Sequence, residues 1–427
     1  MRVQGASRRP VRCIGLAIAA VCVLDPSHAY AQTTDDLFNP DVLQQIDLLI
    51  NSRDWETLKT NFRENVYYPA DLRWNGITVR NVGIRSRGVA SRNSNKPGLR
   101  VDFNRYASGQ RFLELASIVL DNLTPDPSGV RERVAMTVYS RMGLIVPREA
   151  HVRLYVNNAY AGLYAVVEPI DKSFLRRVFG QNAGGIENDG YLFDYRWSSI
   201  WYFTYPGPNL DSYARLFEPI THERASASEL YGPIEGMLRA INQTPDADFA
   251  SVVGQYLDLP LFMKHVALQA FLAEADGIIG YSGVANFYLY RFEDSLRSQF
   301  ILWDEDQSFR SVDFSILQGH ADNVLVRRAM AVPELRAVYF QTLLAAAVLA
   351  ETPVQAGGRG WLEVEITRER DLIEESMRQD SLKPFGNDLF EAHIRGLVDF
   401  ARQRPGLVRC EVAKITTPSA AAEICGR

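Results

Sequence analysis

This 427-residue chain has only four cysteines and no excess of positive charge, and beyond its N-terminus it has no long apolar segment. Beyond the N-terminus no apolar run reaches the roughly 18–20 residues that a membrane-spanning helix needs, which excludes an integral membrane bundle. The six histidines are scattered, with no pair at the spacing of metal ligands. Acidic residues outnumber basic ones by 51 to 46, a balance that disfavours nucleic-acid binding. An apolar content of 47% nevertheless predicts a globular protein with a large core.

The N-terminal segment has the pattern of an export signal. Four arginines precede an apolar stretch over residues 13–24, and residues 29–31 read Ala-Tyr-Ala, which is typical of a cleavage site. We therefore predict a signal peptide over 1–31 and a mature chain over 32–427, exported to the periplasm, the cell surface or the medium. The Ser-Arg-Arg at 7–9 leaves twin-arginine export open beside the general secretory route.

Two of the four cysteines, Cys410 and Cys425, remain once the signal is removed. In an exported chain they favour a disulfide that closes a small loop, worth about 3 kcal/mol by loop entropy. The alternative is two free thiols. The mature chain keeps 42 basic and 50 acidic residues, so its formal net charge is −8.

The first half of the mature chain has mostly the pattern of strands. The exception is 36–61, where Val42, Ile46 and Leu49 stand at helical spacing and favour one or two helices. The turn pair Asn75-Gly76 predicts a β-hairpin. Further strands are expected at 99–103, 151–156, 162–167 and 191–194. The pair Asn157-Asn158 predicts a tight turn between the second and third of these, and a Gly-rich connector is expected over 182–190.

Helices dominate the second half. One earlier helix has clear end signals, with Asp126 as N-cap, Pro127 at the first position and Gly143 past the end. After about residue 175 the pattern predicts helices at 225–242, 259–273, 333–349, 361–377 and 387–403, and strands at 286–292 and 299–303. This order predicts an α+β fold of two lobes, an antiparallel sheet-rich N-lobe over 32–168 and a helix-rich C-lobe over 169–427, with a cleft between them.

A basic segment follows the predicted hairpin. Arg85, Arg87, Ser91 and Lys96 supply guanidinium, ammonium and hydroxyl donors near the end of a strand. Such donors suit a phosphate chain. The alternative is a solvated basic turn.

Two acidic segments follow apolar elements. Asp276 stands at a helix end and Asn286 at the start of a strand, while Asp304 and Asp306 follow an apolar strand. Carboxylates in such a place are candidate ligands for a hard cation such as Mg²⁺. The alternative is a helix cap or an exposed acidic turn.

Along the chain the basic donors come first, followed by an Asp with an Asn and then by an Asp cluster. Phosphoryl transfer needs functional groups of these kinds in this order. The usual kinase signatures are absent, however, since the chain has no GxGxxG loop, no HRD triplet and no DFG triplet.

Five short segments between about residues 41 and 315 match the pattern of a known family. They are 82–88 with Lys96, 126–132, 156–164 running into 168–171, 276 with 286–290, and 303–306. On these segments the chain resembles the CotH kinase family, which is named for a spore coat protein and regarded as atypical, secreted or surface-associated protein kinases. The resemblance implies a compacted protein-kinase fold that transfers a phosphoryl group from Mg²⁺-bound ATP to a Ser or Thr hydroxyl of a protein substrate.

The resemblance also implies roles for individual residues. Asp276 corresponds to the catalytic Asp, Glu132 is expected to orient Lys96, and Glu168 and Asp171 would lie near the adenine or ribose. The expected metal ligands are Asn286, Asp304 and Asp306, and the expected nucleotide-binding residues are Arg85, Arg87, Ser91, Lys96, Glu168 and Asp171.

One feature departs from the family pattern. Many members place the Asn five residues after the catalytic Asp, whereas Asn286 follows Asp276 by ten, with a Gly-rich insert between them. Such an insert either loops out or remodels the site. Because an exported protein meets little ATP, a non-catalytic secreted or surface binding and adhesion protein on the same fold stays open as a second function. Transfer of another nucleotide-derived group is a third.

Overall fold

The computed structural model describes residues 32–180 and 188–426 together with Met1, and over these ranges the chain is an α+β protein. Strands are concentrated in the first half and helices in the second, as expected. The signal peptide assigned to 1–31 and much of the Gly-rich connector over 182–190 fall outside the described residues.

The strands form two sheets, and the first of them is a closed barrel. In chain order they are β1 (Gln44–Ile50), β2 (Tyr68–Trp74), β3 (Ile77–Ser86), β4 (Leu99–Asp102), β5 (Ser117–Asp121), β6 (Glu149–Val156), β7 (Ala159–Val167), β8 (Tyr191–Tyr195), β9 (Phe217–Pro219), β10 (Phe287–Arg291) and β11 (Ser298–Leu302). The barrel order is β1-β2-β3-β4-β5-β7-β6, closed by the parallel pair of β1 and β6. The second sheet, ordered β11-β10-β8-β9, is antiparallel.

The expectation of helices over 36–61 is wrong for its first part. Residues 44–50 form β1, and Ile46, Leu48 and Ile50 alternate with more exposed neighbours, which is the two-residue period of a half-buried strand. Only the segment that follows is helical as expected. Because β1 pairs with both β2 and β6, it converts an antiparallel sheet into a barrel without free edges.

The two predicted tight turns are confirmed. Asn75 and Gly76 join β2 to β3, and Asn157 and Asn158 join β6 to β7. All four residues have positive φ, the conformation that a two-residue hairpin turn requires and that Asn and Gly tolerate best.

The helices match most of the expected positions. They are α1 (Thr34–Leu37), α2 (Ser52–Thr60), α3 (Arg131–Arg141), α4 (Lys172–Phe179), α5 (Leu210–Ala214), α6 (Ala227–Gln243), α7 (Phe249–Val253), α8 (Leu259–Leu272), α9 (Val324–Ala331), α10 (Pro333–Glu351), α11 (Trp361–Gln379), α12 (Asn387–Thr416) and α13 (Pro418–Cys425). Asp126 is not the N-cap of α3, because its carboxylate accepts from the N–H groups of Ser128 and Arg131 and closes a turn before the helix. Helix α12 also continues through Pro405 past its expected end, since Val408 and Val412 beyond the proline are buried.

The core has two large parts. One fills the barrel, and the other lies between α3, the second sheet and the C-terminal helices. Helix α11 packs on β7 and α3, and so connects the barrel to the helical half. The disulfide expected between Cys410 and Cys425 is confirmed and links α12 to α13.

No single helix among the described residues has the length and apolar character to cross a membrane. Helices α9 and α10 together reach that length and composition, but they are bent by 103° at their junction.

Candidate functional site

Carboxylates from four separate parts of the chain face one another where the barrel meets the second sheet. Asp121 ends β5, Glu132 lies in the first turn of α3, Asp276 follows α8, and Asp304 and Asp306 follow β11. They are close enough to act on one another's pKa, since Asp121 and Asp276 both raise that of Asp304. We call these five residues the acidic cluster.

Alternate carboxylates after β11 point in different directions. Asp304 and Asp306 belong to the acidic cluster, whereas Glu305 is fully buried and accepts hydrogen bonds from the Tyr139 hydroxyl (2.7 Å) and from Gln269 Nε2 (2.9 Å). Asp304 has a φ of +58°, a conformation that Asp and Asn adopt more readily than most residues. Burial, followed by the Asp121 charge, raises the pKa of Asp304 to about 6, and the Arg87 guanidinium opposes this rise.

Asp276 and Asn286 are in contact despite the ten-residue spacing. Asn286 Nδ2 donates to the Asp276 backbone oxygen at 2.8 Å and to Oδ2 at 3.2 Å. The intervening residues form a loop, in which Ala285 N–H donates to the oxygen of Gly277. The Gly-rich insert, most of which is buried, thus leaves the two side chains in contact, and whether it remodels the site stays open. Burial raises the pKa of Asp276, and the hydrogen bond from Asn286 works in the opposite direction.

The carboxylate of a buried glutamate, Glu274, forms hydrogen bonds with both acidic segments, the one after α8 and the one after β11. Its carboxylate accepts from the Asp276 N–H (2.7 Å) and from the Ser308 hydroxyl (2.8 Å). Burial and the neighbouring Glu305 raise the pKa of Glu274 well above its usual value. Through its two hydrogen bonds Glu274 connects the loop after α8 to the segment after β11.

Arg87 brings positive charge from the barrel to the acidic cluster. Its Nη1 lies 3.3 Å from Asp121 Oδ2, and its guanidinium stands over the Trp303 ring, 5.6 Å from the centroid. Arg85 is directed elsewhere, because it donates to Asn65 Oδ1 (3.1 Å). Of the two arginines expected at the phosphates, only Arg87 adjoins the acidic residues.

Ser91 lies in the loop after β3, where its backbone oxygen accepts from Asn122 Nδ2 at 3.0 Å. This contact ties the basic loop to the residue that follows Asp121. The hydroxyl of Ser91 takes no part in this contact, and its binding to phosphate stays a prediction.

The expected pairing of Lys96 with Glu132 is wrong. Lys96 is 2% exposed, and its Nζ lies 2.7 Å from Asp380 Oδ2 and 2.7 Å from the oxygen of Leu163. Burial lowers the pKa of Lys96, and the Asp380 carboxylate opposes that effect. Asp380, just after α11, therefore occupies the place expected for Glu132.

Glu132 instead belongs with the other carboxylates. Its side chain is buried, and no hydrogen-bond donor reaches its carboxylate within the described ranges. Burial, then Glu149 and Asp304, raises the pKa of Glu132 well above its usual value. An unpartnered acid of this kind is expensive to ionise unless a cation approaches it.

Glu168 and Asp171 are held by protein groups. The Glu168 carboxylate binds Arg148 (2.8 Å) and Arg177 (2.6 Å). Asp171 is the N-cap of α4 and accepts from the N–H groups of two following residues. Contact of either residue with adenine or ribose stays a prediction.

The donor set of the acidic cluster suits a hard cation, although its ligand geometry is incomplete. Within 32–180 and 188–426 no three His, Cys, Asp or Glu side chains are arranged to hold a metal ion. Mg²⁺ usually takes only one or two carboxylates, with phosphate oxygens and water completing its shell. Burial, followed by neighbouring carboxylates, raises the pKa of Asp304 and that of Asp306, and a cation placed beside them would favour their ionised forms.

Glu149, next to Glu132, makes the stability of this region depend on pH. Burial raises the pKa of Glu149 from 4.5 to about 7. Between these values the folded chain holds a proton that the unfolded chain has released, so stability is lost as pH rises through this window. We expect Glu149→Gln to gain about 1–3 kcal/mol over wild type between pH 4.5 and 7.5, measured by urea unfolding.

The control for this effect is Glu64→Gln, which changes an exposed glutamate in the same way. Its difference from wild type should stay constant over the same pH range. If the Glu149→Gln difference is equally constant, the carboxyl is not protonated in the folded protein.

Three residues of the site were missed in the sequence. Asp121 ends the apolar stretch Ser-Ile-Val-Leu, and the strand-end rule that selected Asp304 would also have selected it. Glu274 stands two residues before Asp276 but has no distinguishing signal. Asp380 lies far along the chain, and only packing of α11 on the barrel brings it to Lys96.

The fold and the site thus define an α+β protein in which a barrel brings an arginine to an acidic cluster at its junction with the second sheet. The family model described as CotH kinase protein matches residues 84–408, and the chain belongs to this family.

Two curated proteins show the range of its relatives. The inner spore coat protein H of Bacillus subtilis is 23% identical over 308 residues, which are 69% of this chain and 79% of that protein. The invasin CotH3 of Rhizopus delemar is 26% identical over 206 residues, 47% of this chain and 33% of the invasin. The match with this chain therefore covers only about a third of the length of the invasin.

Proposed function

We propose that this protein is an exported phosphotransferase that moves the γ-phosphoryl group of ATP to a Ser or Thr hydroxyl of a protein. The barrel would serve as the N-lobe of a compact kinase-like fold, and the helical half as its C-lobe. The observation that carries the proposal is the meeting of Arg87, Asp304 and the Asp276–Asn286 pair at one place. Family membership supports the same reaction class.

The charged residues of the site would have different roles in phosphoryl transfer. Asp276 would orient the acceptor hydroxyl and take its proton, and its raised pKa brings it closer to that of a useful base. Asp304, with Asp306 and Asn286, would hold Mg²⁺, which neutralises the phosphate oxygens when bound. Arg87 would face the same oxygens from the barrel side, because it already lies beside Asp121.

Lys96 differs from the other basic residues in this scheme. It is buried and bound to Asp380, so we infer that it orders the loop after β3 and acts on the nucleotide only if the loop opens. Asp380 would then be a positioning residue.

The test is the pair of wild type and Asp276→Asn with Mg²⁺ and γ-labelled ATP. Casein serves as a generic acceptor, and autophosphorylation is read in the same gel. We expect Asp276→Asn to keep the rise in Tm that Mg-ATP gives while its labelling falls at least 100-fold. Wild-type labelling in the variant would contradict the assignment of Asp276.

A second candidate is a binding or adhesion protein on the same fold. Two observations favour it: the full engagement of Lys96 by Asp380, and the name invasin carried by the Rhizopus relative. In that case wild type shows neither labelling nor a Mg²⁺-dependent rise in Tm with ATP. Labelling in wild type, or a Mg²⁺-dependent rise in its Tm with ATP, would favour the nucleotide site instead.

A further inference from the structure

Three large apolar side chains lie together on the surface beside the loop that carries Asp276. Trp197 is 53% exposed, Ile200 is 65% exposed and Tyr281 is 57% exposed. Single exposed apolar side chains are common on protein surfaces, but a contiguous group of them marks a place where another molecule binds. We call Trp197, Ile200 and Tyr281 the apolar patch.

Close contacts join the two segments that form the apolar patch. Trp197 and Ile200 follow β8, whereas Tyr281 lies in the Gly-rich insert. The indole Nε1 of Trp197 donates to the backbone oxygen of Ser282 at 3.0 Å. Gly283 has a φ of +84°, and a Cβ built on it would stand 3.3 Å from the Ile200 Cα. Glycine at this position therefore allows the insert and the segment after β8 to touch.

The insert presents Tyr281 on a rigid support. Ile278, Ile279 and Val284, on both sides of Tyr281, are fully buried in the core. The Tyr281 ring also packs against the ring of Phe314, with centroids 5.8 Å apart. An aromatic side chain that is already held in place loses little conformational entropy when a partner binds to it.

The apolar patch adjoins the residue that is proposed to take the acceptor proton. The Tyr281 N–H donates to the backbone oxygen of Ala275 at 3.0 Å, and Ala275 directly precedes Asp276. The insert ends at Asn286, whose side chain donates to the Asp276 carboxylate. A protein segment that brings a hydroxyl to Asp276 therefore comes within reach of the apolar patch.

The chemistry of the apolar patch favours an apolar side chain of that segment over the nucleotide. None of its three members carries a charge, and a triphosphate binds preferentially to cationic and N–H donors. Trp and Tyr are the residues that most often bind a partner's apolar side chain at protein interfaces. An extended chain advances about 3.3–3.6 Å per residue, so a side chain within about three positions of the acceptor can lie on the patch.

We propose that the apolar patch binds an apolar or aromatic side chain of the protein substrate, located within about three residues of the acceptor Ser or Thr. The Gly-rich insert would then select the substrate, while the contact between Asp276 and Asn286 is kept. This inference rests on the proposed function, because it takes Asp276 as the group that meets the acceptor hydroxyl.

A small set of peptides tests this preference. Every peptide has a single Ser among polar residues, and each carries one Phe at a different position, up to about three residues from the Ser on either side. The reference peptide has Gln at all of these positions. With wild type, Mg²⁺ and γ-labelled ATP, at least one Phe peptide should have a kcat/KM about tenfold above that of the reference, because the patch removes its aromatic ring from water.

A second measurement does not depend on catalysis. Fluorescein-labelled copies of the same peptides, with Ala in place of Ser, are titrated with wild type, and binding is followed by fluorescence anisotropy. At least one Phe peptide should bind about tenfold more tightly than the Gln reference.

A double variant locates the effect. Ile200→Ser with Tyr281→Ser removes most of the apolar patch and keeps Trp197, whose hydrogen bond supports the insert. Both changed residues are exposed, so the fold should be retained. The ratio of Phe to Gln peptide should fall to about twofold or less in both measurements. Leu344→Ser with Val348→Ser, which changes two exposed apolar residues of α10, is the matched control and should keep the wild-type ratio.

The outcomes separate this proposal from the proposed function. Equal labelling of Phe and Gln peptides by wild type would overturn the role of the apolar patch and leave the phosphotransferase standing. Phe-dependent binding that the double variant loses, with no labelling of any peptide, would support the patch and contradict the phosphotransferase. Neither labelling nor binding in wild type would overturn both.

A second copy of this chain is the competing occupant of the apolar patch. Analytical ultracentrifugation of wild type and the double variant over a range of concentrations tests it. A wild-type dimer that the double variant cannot form would assign the patch to self-association and overturn the proposal. A wild type that stays monomeric would support a patch free to bind substrate.

Discussion

Replacing Asp304 by asparagine is expected to abolish the stabilisation of the protein by ATP and Mg²⁺ while raising the stability of the ligand-free form. The carboxylate is half-buried beside Asp121, and its pKa is raised to about 6, so at pH 8 it is ionised against the preference of its surroundings. A neutral amide removes that cost, and we expect a gain of about 1–3 kcal/mol without ligand. The same change removes one of the proposed ligands of the metal.

Thermal unfolding at pH 8 with and without Mg-ATP measures both effects. The matched control is Asp294→Asn, because Asp294 is also an Asp at positive φ but lies exposed in the turn between β10 and β11. This control should change neither value. Asp306→Asn, measured in parallel, shows which of the two aspartates matters more for the metal. An unchanged response to Mg-ATP in Asp304→Asn would exclude it as a ligand.

Replacing Asp380 by asparagine is expected to cost about 3–5 kcal/mol of folding free energy. The amide keeps only one side-chain oxygen, so either the Leu163 N–H, which now donates to Oδ2, or the Leu382 N–H, which donates to Oδ1, also loses its acceptor. The substitution would also leave Lys96 as a buried cation without a counter-charge. The loss therefore combines the ion pair with one backbone hydrogen bond.

Urea unfolding of a double-mutant cycle separates the pair from its parts. Lys96→Met alone should be strongly destabilising, and adding Asp380→Asn to it should cost less than in wild type, because no charge is then left unpaired. The exposed pair of Lys172 and Asp189 is the control, and Asp189→Ala should cost at most about 1 kcal/mol. Additive effects at 96 and 380 would show that the two charges do not stabilise each other.

Strand ends were the informative positions for the candidate site. Asp304 follows a run of apolar residues, and Asn286 precedes another, so elementary reasoning about buried charge selects both. The structure brings Asp276 and Asn286 into contact and places Arg87 beside Asp121. Their catalytic and binding roles remain predictions.

Partners of buried charges were much harder to foresee. Lys96 was expected to meet Glu132, but it meets Asp380, which no local pattern distinguishes from other acidic residues of the helical half. The physical reason is that an ion pair depends on which helix packs against the barrel. Spacing along the chain does not contain that information.

The segment 36–61 shows how a local pattern can be ambiguous. Its apolar residues fit a helical period through Val42, Ile46 and Leu49, and equally a strand period through Ile46, Leu48 and Ile50. Pairing with β2 and β6 decides for the strand. Tertiary pairing overrode a weak local preference.

The amino-acid sequence by itself was therefore enough to predict the Asn-Gly and Asn-Asn turns, most helix limits, the disulfide and the family. Each depends on neighbouring residues or on a short loop. Closure of the barrel, the Lys96–Asp380 pair, the buried Glu274–Glu305 contact and the apolar patch were decided only by the fold. Each of them joins residues distant in the chain, whose contact depends on how whole elements pack together.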